Sequence, residues 1–336
     1  RSLTGSIGLF ALLLTVTTSL VHCWMNTLGV MMTIKMNAIH LGTLMAVTFL
    51  FYPAFPGSPR ERPSIPDWIL AGLSLFGMAY LILVYNRLLD SNMEPLFMDL
   101  AVSVMTMAVL TEASRRSIGL PLTSLSVLFL AYTRLGPYCP GLFAHRGFNW
   151  ERIIVRMALT DEGIYGTTLT VSASYVFMFI LFGSFLAATK TSEFFNDFAM
   201  ALAGRYRGGP AKVFVVASGL MGTISGSAQA NVATTGAFTI PLMKKIGYTD
   251  YFAGAVEAAA STGGIFMPPI MGASAFIMSS FLGIPYTTIM LAGFAPAFLY
   301  YLGIMFMVDL RAKKVGMKGL PKSELPSLRA TMKDKG

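Results

Sequence analysis

The chain has 336 residues, of which 54% are hydrophobic and only 12% carry formal charge. Soluble proteins carry roughly 25% charge, so a soluble fold could not cover this much apolar side chain, and a soluble enzyme is excluded. The mean hydropathy of +0.64 and the net charge of +9 fit a membrane protein with basic cytoplasmic loops, in contact with membrane lipid and with no nucleic acid. Cys23 and Cys139 are too few for a disulfide framework or a metal cluster and read as packing residues.

A helix needs about 20 mostly apolar residues to cross the hydrocarbon core. Runs without formal charge cover residues 2–34, 36–59, 68–86, 117–133, 163–189, 213–243 and 258–308, the last long enough for two crossings. Residues 100–111 extend to a span if Asp99 and Glu112 sit at the interfaces. The first run is too long for a signal peptide's apolar region and lacks a small-residue cleavage site, so it reads as a span. The chain opens on Arg1 and not on methionine, which leads us to expect residues ahead of it. Pro53, Pro56, Pro59, Pro63 and Pro66 mark one loop, and Pro137, Pro140 and Gly141 another.

Lys/Arg bias orients the spans. Arg60 and Arg62 follow the second and Arg115 and Arg116 the fourth, while the loop between sets Arg87 against Asp90, Glu94 and Asp99. The N-terminus is therefore inside, and residues 117–135 cross outward. Residues 146–162 mix Arg146, Arg152 and Arg156 with Glu151, Asp161 and Glu162, and read as an amphipathic helix at the interface. Residues 163–189 cross back.

The charge argument is sharpest between Lys212 and Lys244. One full span there would carry Lys244, Lys245, Arg311, Lys313 and Lys314 outside. Two half-length helices meeting at mid-membrane keep every basic cluster inside, so a re-entrant hairpin is expected over residues 211–247. Its centre, from Thr223 through Ser225, Gly226, Ser227, Gln229 and Asn231 to Thr234, Thr235 and Gly236, is small and polar. Backbone that leaves helix geometry in a membrane must be buried in protein or line a wet cavity. A second break is expected within a helix over residues 251–281. There Ser261, Thr262, Gly263, Gly264, Met267, Pro268 and Pro269 follow one another, and the prolines remove backbone donors. Tight helix packing and a plain proline kink are the bland alternatives for the two clusters. Helix N-termini at such breaks suit an anionic group, and freed carbonyls suit a cation. Glu257 is the one formal charge between Asp250 and Asp309; it is either functional or paired with Lys244 or Lys245.

These same residues carry a family resemblance. Gly219–Ala228 with its Ser225-Gly226-Ser227 centre, the segment from Asn231 to Gly236, the segment from Phe252 to Gly264, and Met267-Pro268-Pro269 resemble the permease of tripartite ATP-independent periplasmic (TRAP) transporters. Leu135 to Tyr138, Gly141 to Arg146 and Arg207 to Lys212 resemble the fused permeases that work with TAXI-type binding proteins. The resemblance implies an all-α integral membrane protein: a multi-span bundle with a re-entrant hairpin and a broken transmembrane helix, one half of an inverted-repeat core. It implies a four-helix small-subunit-like scaffold over residues 1–116 and a linking helix with an interfacial segment over 117–162. The first repeat of the large subunit follows over 163–310, then a polar cytoplasmic loop or tail over 311–336. It further implies an inner-membrane, multi-pass permease that takes up organic acids, dicarboxylates included, by ion-gradient-driven symport. A TAXI-type periplasmic binding protein delivers the substrate, and the remaining half of the large subunit completes the core.

By the same resemblance, Ser225, Gly226, Ser227, Asn231, Thr234, Thr235, Ser261, Thr262, Gly263, Gly264, Met267, Pro268 and Pro269 form a cation and substrate site. Ser225, Ser227, Ser261 and Thr262 are the expected ligands of Na⁺, with H⁺ the alternative coupling ion. Ile265 and Gln229 depart from the pattern of many relatives. A truncated, non-transporting scaffold is the rival reading. An intramembrane enzyme using Ser225 or Ser227 is disfavoured, because a serine nucleophile needs a base within reach and His22, His40 and His145 all lie far earlier in the chain. No phosphate-cradling Gly-x-x-x-x-Gly-Lys-Ser/Thr loop is present.

Overall fold

The computed structural model describes residues 1–189, 191–317, 319 and 331. The described residues form helices and turns without a strand, in two units, Arg1–Ser174 and Tyr175–Gly336. Six helices are long and apolar enough to cross a membrane: Gly5–Thr27, Thr33–Phe51, Ile65–Asp90, Phe97–Ser117, Thr167–Leu186 and Tyr286–Val315. Their outward faces carry exposed Leu12, Leu20, Leu83, Phe97, Leu291 and Phe306. Apolar side chains outside and small or polar ones inside are the signature of lipid as solvent. The chain is a multi-pass membrane protein.

The first unit opens with α1 (Gly5–Thr27), α2 (Thr33–Phe51), α3 (Ile65–Asp90) and α4 (Phe97–Ser117). Helix α2 is the central one: Ile34, Ala38, Leu41, Met45 and Phe49 recur at three- and four-residue spacing and are all buried. Two buried aspartates close the bundle. Asp67, in the first turn of α3, accepts the Ser64 N–H (2.8 Å) and pairs with Arg1 and Arg116 (both 2.6 Å). Asp99, in the first turn of α4, accepts the Leu96 N–H and the Tyr80 hydroxyl (both 2.7 Å) and pairs with Arg87. Each carboxylate thus serves a helix N-terminus, where backbone donors and the macrodipole favour an anion.

Helix α5 (Leu120–Leu135) is shorter than the crossing expected over 117–135. Gly119, at φ +98°, and Pro121 delay its start, and Gly136-Pro137 ends it. At 16 residues it rises only about 24 Å. The amphipathic segment contracts to α6 (Trp150–Ala158), capped by Asn149 accepting the Arg152 N–H at 3.0 Å, with Ile153 and Ala158 buried. Helix α7 (Thr167–Val171) leads into a widened, π-type turn at Ser172–Val176.

His22 and His40 stand on separate helices and meet between them: His22 Nε2 lies 2.8 Å from His40 Nδ1. The pair runs from the Thr18 carbonyl to the Ser172 hydroxyl (2.7 and 3.0 Å at its two ends), joining α1 and α2 to the π-type turn. The two rings lie 18 residues apart on different helices, so no local period reveals the contact.

The second unit contains α8 (Phe177–Ala188), α9 (Thr191–Ala203), α10 (Gly209–Ser225), α11 (Ala228–Asn231), α12 (Ala237–Lys245), α13 (Asp250–Gly263), α14 (Ala273–Leu282) and α15 (Tyr286–Val315). Helices α12 and α14 have 9 and 10 residues, about half of a span. At one end of the unit Asp309 of α15 binds Arg207 and Lys212, and Arg311 reaches the Tyr251 hydroxyl at 3.3 Å. Tyr248 is buried there beside Gly208, and burial pushes its phenol pKa up. Most of the tail over 311–336 lies outside the described residues.

Candidate functional site

Helix α10 ends at Ser225 because Gly226 turns to φ +57°, the left-handed conformation that closes a helix and favours glycine. Ser227 then caps α11, its hydroxyl accepting the Ala230 N–H at 3.3 Å. A Cβ on Gly226 would lie 2.0 Å from the Met271 carbonyl oxygen, so the hairpin tip touches the backbone of the broken segment. The Ile270 N–H donates to the Thr223 carbonyl at 3.3 Å, crossing from break to hairpin. Further in, a Cβ on Gly222 would lie 2.6 Å from Gly264 Cα. Glycine at both positions lets the two backbones meet.

Tyrosines of α15 hold the broken segment in place. The Tyr300 and Tyr301 hydroxyls donate to the Ala259 and Ala260 carbonyls at 2.9 and 2.8 Å, near the end of α13. The Tyr301 ring lies against Gly263, where a Cβ would come within 2.7 Å. The Tyr286 hydroxyl lies 2.7 Å from both the Pro269 and the Ile270 carbonyl oxygens. Met267 is half-buried, Pro268 buried and Pro269 exposed.

The hydroxyls expected to gather around one cation divide into two layers. Ser225 and Ser227 stay at the tip, with the Ser225 hydroxyl 3.4 Å from the Ser227 carbonyl. Thr234 and Thr262 are exposed and donate to carbonyls of their own helical turns, Ala230 and Ala258, at 2.8 and 2.7 Å. Asn231, Thr235 and Ser261 are buried in a layer beneath. Ser261 and Thr262 are successive helical residues about 100° apart, which is why they cannot face the same point. Of the two departures from the family pattern, Gln229 is exposed with its Oε1 3.4 Å from the Ser227 hydroxyl, and Ile265 packs on Gly272.

Glu257 anchors the buried layer and meets neither lysine considered for it. Lys244 pairs with Asp250 at 3.1 Å, while Glu257 is 1% exposed. Its carboxylate accepts from Thr235, from Thr239 (2.6 Å) and from Ser261 (3.0 Å). Ser261 in turn lies 3.2 Å from the Ser218 hydroxyl, and Asn231 Nδ2 donates to the Ser218 carbonyl (2.9 Å) and hydroxyl (3.1 Å). Among the described residues, buried Asn231 Oδ1 has no hydrogen-bond partner. Ser218, Thr239, Tyr300 and Tyr301 escaped the sequence reading. Thr235 with Thr239, and Glu257 with Ser261, stand at i, i+4 spacing, which places each pair on one helix face and was a usable signal.

A hairpin whose tip meets a broken helix, lined by hydroxyl, amide and carbonyl oxygens, is the kind of place where a membrane transporter binds its ion and substrate. Residues 104–336 match the DctM component of the tripartite ATP-independent periplasmic transporter. The chain belongs to this family. The DctM match begins inside α4, ahead of the boundary at 117 expected from sequence. The family is one of transporter permeases and not of enzymes. The chain is similar to the C4-dicarboxylate TRAP transporter large permease protein DctM of Pseudomonas aeruginosa, 31% identical over 149 residues, 44% of this chain and 34% of that protein. It is similar to the sialic acid TRAP transporter permease protein SiaT of Haemophilus influenzae, 30% identical over 186 residues, 55% of this chain and 30% of that protein. The isethionate TRAP transporter permease protein DctMQ of Oleidesulfovibrio alaskensis is 33% identical over 148 residues, 42% of this chain and 22% of that protein. The chain spans about a third of the length of the DctM and SiaT relatives it matches, and less of DctMQ.

Proposed function

We propose that this chain forms part of the permease of an inner-membrane, ion-gradient-driven symporter for small organic acids. In this reading a TAXI-type periplasmic binding protein delivers the substrate and Na⁺ drives uptake. Relatives named for C4-dicarboxylate, sialic acid and isethionate share an acidic substrate, which supports the organic-acid class. Residues 1–116 serve as the small-subunit-like scaffold, and residues 163–310 as the first half of the transport core.

The observation that carries the reading is the meeting of hairpin tip and broken helix above the buried, unpartnered Asn231 Oδ1. The donor set is all oxygen, which fits a hard monovalent cation. Ser225, Ser227 and the carbonyls of the tip and the break would hold the ion, with Asn231 supplying an amide oxygen from beneath. Bound there, the cation supplies positive charge for an incoming carboxylate. The exposed Thr234 and Thr262 and the backbone of Gly263 and Gly264 flank the place where that carboxylate would sit.

The test is uptake by the full-length protein in proteoliposomes with its binding protein. An inward Na⁺ gradient should drive accumulation of a radiolabelled organic acid, and Ser225→Ala combined with Ser227→Ala should weaken the Na⁺ dependence at normal protein levels. Uptake driven equally by a proton gradient in Na⁺-free buffer would overturn the sodium assignment. No uptake under any gradient would favour the non-transporting scaffold.

A further inference from the structure

We propose that Ser218, Ser261 and Glu257 form a positioning relay that fixes the Asn231 amide so that its Oδ1 faces the coupling cation. This rests on the cation-site reading above and extends it to residues outside that site.

The orientation of the amide follows from donor and acceptor chemistry. A backbone carbonyl can only accept, so the Asn231 atom 2.9 Å from the Ser218 carbonyl must be Nδ2. The Ser218 hydroxyl, 3.1 Å away, is the second partner of the same nitrogen. Flipping the amide would place Oδ1 against a carbonyl oxygen, so the assignment is fixed by the network and not by convention.

The donors then run in one direction. The Ser218 hydroxyl accepts from Asn231 and keeps its own proton for Ser261 Oγ, 3.2 Å away. Ser261 donates to Glu257 Oε1 at 3.0 Å, and Thr239 holds the second carboxylate oxygen at 2.6 Å. Thr235 closes the circuit: its hydroxyl contacts Glu257 and also lies 2.8 Å from the Asn231 carbonyl. Asn231 is therefore held at its side chain by residues that converge on one carboxylate, while Thr235, with one proton to give, bonds the Asn231 carbonyl only when it leaves Glu257. The carboxylate supplies the acceptors that polarise the chain of hydroxyls, and such networks strengthen one another in a low-dielectric interior.

What remains is Oδ1, fully buried and without a hydrogen-bond partner among the described residues. Buried acceptors almost always find a partner, and a cation satisfies one without needing a donor. The Asn231 amide lies against Gly264, where a Cβ would sit 3.4 Å from Nδ2, so it stands where hairpin and break meet. Ser261, expected from sequence to bind Na⁺, is on this account a positioning residue, and Glu257 acts only through it and Thr235.

The experiment needs no transport. The melting temperature of the purified full-length protein is titrated with NaCl, with choline chloride holding ionic strength constant. The wild type should show saturable stabilisation, and Asn231→Ala should lose it. Ser218→Ala and Glu257→Gln should raise the Na⁺ midpoint about tenfold, the scale on which outer-shell partners act on a ligand. Glu257→Asp should recover part of that loss, and the melting temperature in choline should stay near that of the wild type for Ser218→Ala. Unchanged midpoints in both Ser218→Ala and Glu257→Gln would overturn the relay while leaving the cation site standing. If Glu257→Gln does not fold, Ser218→Ala decides alone. A wild type indifferent to Na⁺ would overturn the cation reading and the relay together, and would assign Oδ1 to an ordered water.

Discussion

Asp67 and Asp99 in the first unit and Glu257 in the second are all buried carboxylates, yet they are satisfied by opposite means. The aspartates sit at helix N-termini and pair with guanidinium groups, Arg1 and Arg116 for one and Arg87 for the other. Among the described residues Glu257 has no cationic partner, only three hydroxyls from the hairpin and the broken helix. A fixed ion pair makes a rigid joint, because separating it strands a charge. A ring of hydroxyls holds a carboxylate while two of the three, those of Thr235 and Ser261, keep another carbonyl or hydroxyl within reach. The first arrangement suits an element that stays put, and the second suits a segment that binds and releases an ion.

The largest effect expected from this contrast is on the aspartate side. Arg116→Ala leaves Asp67 short of a partner and also removes the guanidinium from the Phe49 ring, 4.9 Å away. It should destabilise the protein by about 3 kcal/mol, read as a lower thermal midpoint in detergent. Gly222→Ala comes next. Its Cβ would meet Gly264 Cα at 2.6 Å and force apart the hairpin and the break, at about 1–3 kcal/mol, with transport lost before the fold is. Glu257→Gln should cost about 1 kcal/mol, because an amide still accepts and Thr235 can turn to the Asn231 carbonyl. A loss as large as that of Arg116→Ala would break the comparison. The smallest change is Thr262→Ala alone, within about 0.5 kcal/mol, since that hydroxyl is exposed and bonds its own helix.

The parts of this molecule that sequence made legible are those written in local composition. The Ser225-Gly226-Ser227 turn and the Pro268-Pro269 break stand out because small residues and prolines interrupt apolar runs, and the all-α, multi-span fold follows from hydropathy. Contacts between elements were not legible. His22 and His40 pair across two helices, and Ser218 joins the site from mid-helix, where a lone serine looks like packing. The shortness of α5 was hidden for a related reason: the apolar run over 117–133 sets an upper limit, while Gly119, Pro121 and Gly136 set the real ends. Charge gave the hairpin its direction but left Glu257 open between a functional role and a lysine partner; three neutral hydroxyls, which carry no charge pattern, take the place of the lysine.

Direct binding of radioactive sodium to the purified full-length protein tests the central claim most plainly, comparing the wild type with Asn231→Ala. Saturable binding in the wild type and its loss in a folded Asn231→Ala protein is the predicted result. Equal binding in the two would contradict the claim that the buried amide oxygen beneath the hairpin tip takes the coupling ion.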